Sequence, residues 1–504
     1  MPLALMSFVK GSVRACFSAL ALFLGVASAQ EGDTAVVPVP GQPVLFLSAF
    51  DLAPLGYTTE EFFVSGTASS YKLPGPPSPD GHWDVTPAET APFVTRIVVV
   101  RPTDAKRFNG TVVVEWLNVS GGLDGAPDWH AAHRLLMRDG FAYVAVSAQK
   151  VGVEGGPSLG LGGMPLKKAN PERYGRLSHP GDAYSFDIFS QAGRLLRTSG
   201  AGKLLGSLVP KRIIAVGESQ SARFLTTYVN AVDPVAKVYD GYLIHSRFGS
   251  AAPLDGNSLY SSDGPGSQYQ GAKLRTDLRV PVITVITETD LLGGQIPGFH
   301  TARQPDNVRL RIWEVAGTAH ADNYTVGVGF IDSGSTPLEK LVAGYEPTAK
   351  VLGTQLAKPM NSGPQHHYVV EAALWSLDRW VATGQTPPQA DRIQLTDAAK
   401  PGDAPTPVLD ANGEAKGGVR TPWVDVPTAK LAGIGNSGGP LAFLVGMCEP
   451  FDAATLDRLY PGGKSEYLKK FEASLTSAIQ AGFILPADRQ ENLDLAALLY
   501  RGSH

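Results

Sequence analysis

Cysteine is scarce in this chain: Cys16 and Cys448 are the only two among 504 residues. Cys16 falls inside an apolar N-terminal stretch that reads as a leader. The mature chain would keep Cys448 alone, so no intrachain disulfide is available and stability has to come from a large core. An excess of positive charge is also missing. Lys and Arg number 43 against 47 Asp and Glu, a formal net charge of −4, which leaves no basic footprint for a nucleic-acid partner. The mean hydropathy of −0.03 argues against multiple membrane spans. His-Glu-x-x-His, cysteine clusters and calcium loops are absent from the sequence, which disfavours a metal enzyme, and no other cofactor is expected. His366 and His367 are adjacent, so on a helix they would point about a hundred degrees apart and make a poor metal pair. The glycine-rich stretch 160–163 lacks the Lys-Ser/Thr ending of a phosphate loop.

What is present begins with the leader. Lys10 and Arg14 precede an apolar run at 15–26, and Ala27-Ser28-Ala29 supplies a small-x-small cleavage signature before Gln30. The run is short for a span, so residues 1–29 read as a secretory signal peptide, with an uncleaved anchor as the alternative. The expected location is secreted or periplasmic, with no stable membrane span after cleavage. Apolar content of 43% and charge of 18% describe a folded globular protein. The length would allow two or three average domains, but α/β proteins with insertions often exceed that average. One domain over 30–504 is expected.

Apolar, β-branched runs recur at 93–100, 111–116, 141–147, 212–216, 239–244, 282–287 and 309–315, with room for helices between them. The later runs are nearly continuous rather than alternating, as required when helices cover both faces of a sheet. This pattern predicts an α/β fold with a mostly parallel central sheet. Two stretches rich in Gly, Pro, Ser or Asp, 152–180 and 248–272, are expected as insertions over the sheet's carboxyl edge, where such folds bind ligands. From about 325 to 504 the chain is read as a helical cap or flank. Val370, Leu374, Leu377 and Val381 share one helical face, and Tyr467, Phe471, Leu475 and Ile479 another.

Chemistry concentrates at Gly217-Glu218-Ser219-Gln220-Ser221, between an apolar run and a helix-compatible stretch. That is the layout of a nucleophile elbow. A serine hydroxyl reacts poorly in water, so it needs a sharp strand-to-helix turn, a base within reach, and backbone N–H groups for a developing oxyanion. Small residues two before and two after the serine let strand and helix approach; here they are Gly217 and Ser221. An acid and then a histidine should follow after later strands. The run 282–287 ends in Glu288-Thr289-Asp290, and the run 309–315 ends in Ala316-Gly317-Thr318-Ala319-His320. His320 is the candidate base, since imidazole titrates near neutrality. Asp290 is the preferred acid and Glu288 the alternative. The oxyanion donors are expected from Gln220 and from Asn118 or its neighbour, in the loop Asn118-Val119-Ser120-Gly121-Gly122. His245 and Arg247 could line a substrate pocket, although packing explains them equally well.

These segments resemble the α/β-hydrolase superfamily, and more narrowly the group known only as α/β-hydrolase domain-containing proteins. The resemblance runs through 114–122, 216–221, 243–247, 288–290, 314–322, 420–426 and 450–456, nearly the whole mature chain. It implies an α/β-hydrolase fold with Ser219, Asp290 or Glu288, and His320 at the triad positions, and hydrolysis of a small-molecule ester. Acyl transfer or amide hydrolysis on the same triad is the rival chemistry. A non-catalytic binding protein on a hydrolase scaffold is the rival class.

Overall fold

The computed structural model describes residues 34–159, 162–257, 259, 268–351, 353–397 and 404–502; the leader expected at 1–29 lies outside them. Nine strands form one sheet: β1 (Ala35–Val39), β2 (Tyr57–Lys72), β3 (Thr86–Pro102), β4 (Thr111–Trp116), β5 (Ala142–Val146), β6 (Arg212–Glu218), β7 (Gly241–His245), β8 (Val282–Thr287) and β9 (Leu310–Val315), in the order β1-β2-β3-β5-β4-β6-β7-β8-β9. From β5 across to β9 neighbouring strands run parallel. The first three are joined antiparallel, to one another and to β5.

Residue type explains the layering. In β4, Val112, Val114 and Trp116 enter one apolar cluster and Val113 the other, because successive side chains point to opposite faces. Helices α1 (Pro127–Arg138), α2 (Ser185–Leu195), α3 (Gln220–Thr227) and α4 (Gln365–Thr383) cover those faces. Phe186 and Phe189 of α2 and Leu225 of α3 pack with Val112 and Val114. Trp129 and Leu135 of α1 and Val370, Leu374 and Leu377 of α4 pack with Val113, Leu243 and Val285. The helix read at 370–381 thus packs directly on the sheet, as a flank. Further on, α5 (Gly463–Gln480) and α6 (Arg489–Leu499) build a separate apolar cluster in which Tyr467, Phe471 and Leu475 meet Trp423 and Tyr500.

The run read at 93–100 is the inner part of β3, whereas β2 and the outer part of the β2–β3 ribbon escaped the sequence reading. Many of its residues are half-buried or exposed small polar ones, so a ladder of backbone hydrogen bonds, not an apolar run, makes it a strand. In the segment read as an insertion at 152–180, Leu159 N donates to Ser120 O, in the loop after β4, at 2.9 Å. Gly122 and Gly163 approach so closely that a Cβ on Gly122 would come within 2.9 Å of Gly163 Cα. No helix among the described residues is long and apolar enough to cross a membrane.

Candidate active site

β6 ends at Glu218 and α3 begins at Gln220, leaving Ser219 alone in the turn at φ 59 and ψ −115. A non-glycine residue at positive φ costs roughly 1–3 kcal/mol and persists only when its surroundings hold it. Here Ser219 N donates to His245 O at 2.9 Å, fastening the turn to the end of β7. A Cβ on Gly217 would lie 2.9 Å from Leu225 Cδ1 and 3.2 Å from Ser221 Cβ. Glycine is therefore required where the strand meets its helix, while Ser221 fits, fully buried, in place of a second glycine.

His320 lies in the loop after β9, with its Nδ1 2.6 Å from Asp290 Oδ1. Asp290 is itself held: its Oδ2 accepts from Thr287 N at 2.9 Å and Thr287 Oγ1 at 2.6 Å. Burial acts to raise this carboxyl, but the His320 charge and the hydrogen bonds from His320 and Thr287 outweigh it and keep it below the usual range. Glu288, the alternative acid, is turned away. Its oxygens accept from Gly317 N at 2.7 Å and Gly433 N at 2.8 Å, tying the His320 loop to the C-terminal segment. Burial foremost pushes its carboxyl up to about 7 against those two bonds.

The expectation for Asn118 needs correction. Its backbone N–H is committed to Gly125 O at 2.9 Å, and its side-chain Nδ2 donates to Glu218 O and Glu218 Oε2, both at 3.1 Å. The next residue is held more loosely: Val119 N donates to Gln220 Oε1 at 3.4 Å, longer than an ordinary N–H···O bond. Gln220 N opens α3, where a first-turn amide has no partner within the helix. Val119 and Gln220 are therefore the two candidate oxyanion donors.

A family model described as an alpha/beta hydrolase domain matches residues 28–494. The chain belongs to this alpha/beta hydrolase family. Curated proteins offer no match to its sequence. Among solved structures it is similar to the esterase Est22 (15% identity, 48% of this chain and 68% of that one, TM-score 0.27). It is also similar to a thermostable esterase from Pseudomonas putida ECU1011 (12%, 48% and 66%, TM-score 0.27) and to a methylesterase (13%, 50% and 45%, TM-score 0.25). Likenesses this distant leave the chemistry to be read from the hydrolase's own site.

Two further expectations are corrected by burial. His245 does not line a pocket of the hydrolase; its side chain is buried, with Nδ1 2.8 Å from Asp128 Oδ1 and Nε2 2.9 Å from His366 Nε2. His366 continues to Asp322, 3.3 Å away. For the two Nε2 atoms to face each other at 2.9 Å, one ring must donate and the other accept. Arg247 is buried too, donating to Phe248 O at 3.2 Å and Ala272 O at 2.6 Å with its guanidinium over the Phe299 ring. Burial, then repulsion from Arg223, lowers it to about 9. Both residues build the floor of the site rather than its lining. Sequence reading also passed over Glu218, although a carboxylate beside the nucleophile in the motif was a visible signal. Its Oε1 lies 3.2 Å from His320 Nε2.

Proposed function

We propose that this hydrolase cleaves carboxylic esters through an acyl-enzyme on Ser219. One observation carries the reading: His320 is held at Nδ1 by Asp290 at 2.6 Å while its Nε2 reaches the elbow residue next to Ser219, itself at φ 59. In this mechanism Ser219 Oγ adds to the ester carbonyl while His320 Nε2 takes its proton. The tetrahedral oxyanion is met by the Val119 and Gln220 amides, and Nε2–H then protonates the departing alcohol. Water repeats the sequence to release the acid. Asp290 fixes the tautomer and stabilises the imidazolium without itself becoming protonated. Export through the leader to a secreted or periplasmic location completes the proposal.

Intact-mass analysis after a fluorophosphonate probe, alongside p-nitrophenol release from acetyl, butyryl and octanoyl esters, tests it in wild type and Ser219→Ala. A single adduct and turnover, both lost in the variant, are the expected result. A folded wild type that neither labels nor turns over sinks the esterase reading. Amide hydrolysis or transfer to an added alcohol in preference to water would reassign the chemistry on the same residues.

A further inference from the structure

His320 is flanked by two carboxylates, not one. Asp290 holds Nδ1 by a hydrogen bond, and Oε1 of Glu218, the residue directly before Ser219, lies at ion-pair distance, 3.2 Å, from Nε2, the nitrogen that has to receive the Ser219 proton. Among the described residues Ser219 Oγ makes no hydrogen bond, and the charged group nearest Nε2 besides Asp290 is the Glu218 carboxylate. Glu218 is fixed there. Its Oε2 accepts from Asn118 Nδ2, and the same Nδ2 also bonds the Glu218 backbone carbonyl, so side chain and main chain are clamped by one amide. Glu218 and His320 are both buried, each at 8% exposure. The Phe248 ring packs 5.2 Å from the imidazole, which limits the ring's freedom to swing elsewhere.

Resting on the esterase reading, we propose that Glu218 is a positioning residue for the base: it forms an ion pair with protonated His320 in the resting enzyme and must take the Nε2 proton before Ser219 can react. The steps balance. The proton on Nε2 moves to Glu218 Oε1, giving a neutral carboxyl and an imidazole that keeps Nδ1–H on Asp290. The freed Nε2 lone pair accepts the Ser219 hydroxyl proton as Oγ bonds to the carbonyl carbon, and Nε2–H passes to the alcohol oxygen as the ester C–O bond breaks. Water's proton then follows the same route in reverse and returns to Ser219. Glu218 keeps its proton until the cycle closes.

The surroundings suit that role. Burial first, then the Asp128 and Asp290 charges, favours the neutral carboxyl, while His320 and His366 oppose it, leaving Glu218 at about 8. On His320, burial is outweighed by Asp290 and Glu218, which carry it up to about 9. The groups facing the pair thus come from the loops after β8 and β9, from α1, from α4 and from the Asn118 loop.

The test is the rate of fluorophosphonate labelling of the full-length protein between pH 5 and 10, in wild type and Glu218→Gln. In wild type the acidic limb should lie at least one unit above the ordinary histidine value of about 6.5. In E218Q the limb should move down by a unit or more, so that labelling at pH 6 rises about tenfold as a fraction of the variant's own plateau. A merely structural glutamate would lower the plateau and leave the limb in place, and that result overturns the proposal while the esterase reading stands. Should E218Q not fold, the wild-type profile decides: a limb near 6.5 overturns the proposal and a limb above 7.5 supports it. Absence of labelling at every pH in folded wild type removes the nucleophile and the proposal together.

Discussion

Asp290 and Glu288 are both buried carboxylates two residues apart, yet one faces the imidazole and the other faces backbone amides. Their substitutions should separate accordingly. Asp290→Asn removes the charge that stabilises the imidazolium and favours the wrong tautomer, so turnover and probe labelling should fall by about 10³–10⁴-fold with the fold intact. Kinetics with circular dichroism on the same sample checks both halves, and an undiminished rate would exclude Asp290 as the acid. Glu288→Gln leaves one backbone N–H without its acceptor, at a cost of about 1–3 kcal/mol. The urea midpoint should fall accordingly, whereas a stability equal to wild type would contradict its place as the anchor of the His320 loop.

At the scale of elements, the junction of β6 with α3 sets the position of Ser219, the proposed nucleophile. Contact between strand and helix is so close at Gly217 that any side chain meets Leu225 and Ser221. Gly217→Val should push the helix off the strand and displace Ser219, and a shift of about 1 Å is enough to cost roughly a hundredfold in rate. Probe labelling would report it directly. Retention of the wild-type rate would mean that the turn tolerates a wider approach. The opposite side of the site rests on loops after β8 and β9, tied through Thr289 Oγ1, which accepts from His320 N at 3.1 Å and donates to Gly433 O at 2.5 Å. The C-terminal segment therefore supports the base physically, although it contributes no reacting atom to the mechanism above.

For the molecule as a whole, buried carboxylates dominate the dependence of stability on pH. Burial foremost raises Glu414 to about 9 and Asp128 to about 8, so the folded state holds protons that the unfolded chain has released. Groups with raised folded values contribute stability that is complete below the unfolded value of about 4 and is lost as pH climbs through the folded values. His320, raised to about 9 mainly by Asp290 and Glu218 against burial, acts in the same direction above about 6.5. The melting temperature should therefore decline steadily from pH 6.5 to pH 9, and Glu414→Gln should flatten that decline. Thermal scans across the range decide, and a curve rising toward pH 9 would show that these groups are solvated.

The residues determined much of this hydrolase directly. Runs of β-branched residues marked the inner part of β3 and all of β4 to β9 because a strand buried on both faces has to be apolar throughout, and Gly217 to Ser221 marked the elbow because only small residues allow so close a turn. The order of serine, acid and histidine followed from the order of the strands. Tertiary structure decided what lies between distant segments. The choice of Asp290 over Glu288 depended on which carboxylate points at His320, and 30 residues separate that acid and base. Gly125 claims the Asn118 amide, which moves the proposed oxyanion role to the neighbouring Val119. His245 and His366, 121 residues apart, met beneath the elbow through the packing of α4 on the sheet. Partner choice among polar groups is a matter of distances of about 3 Å, and a linear pattern of residue types carries no such distances until the chain has folded.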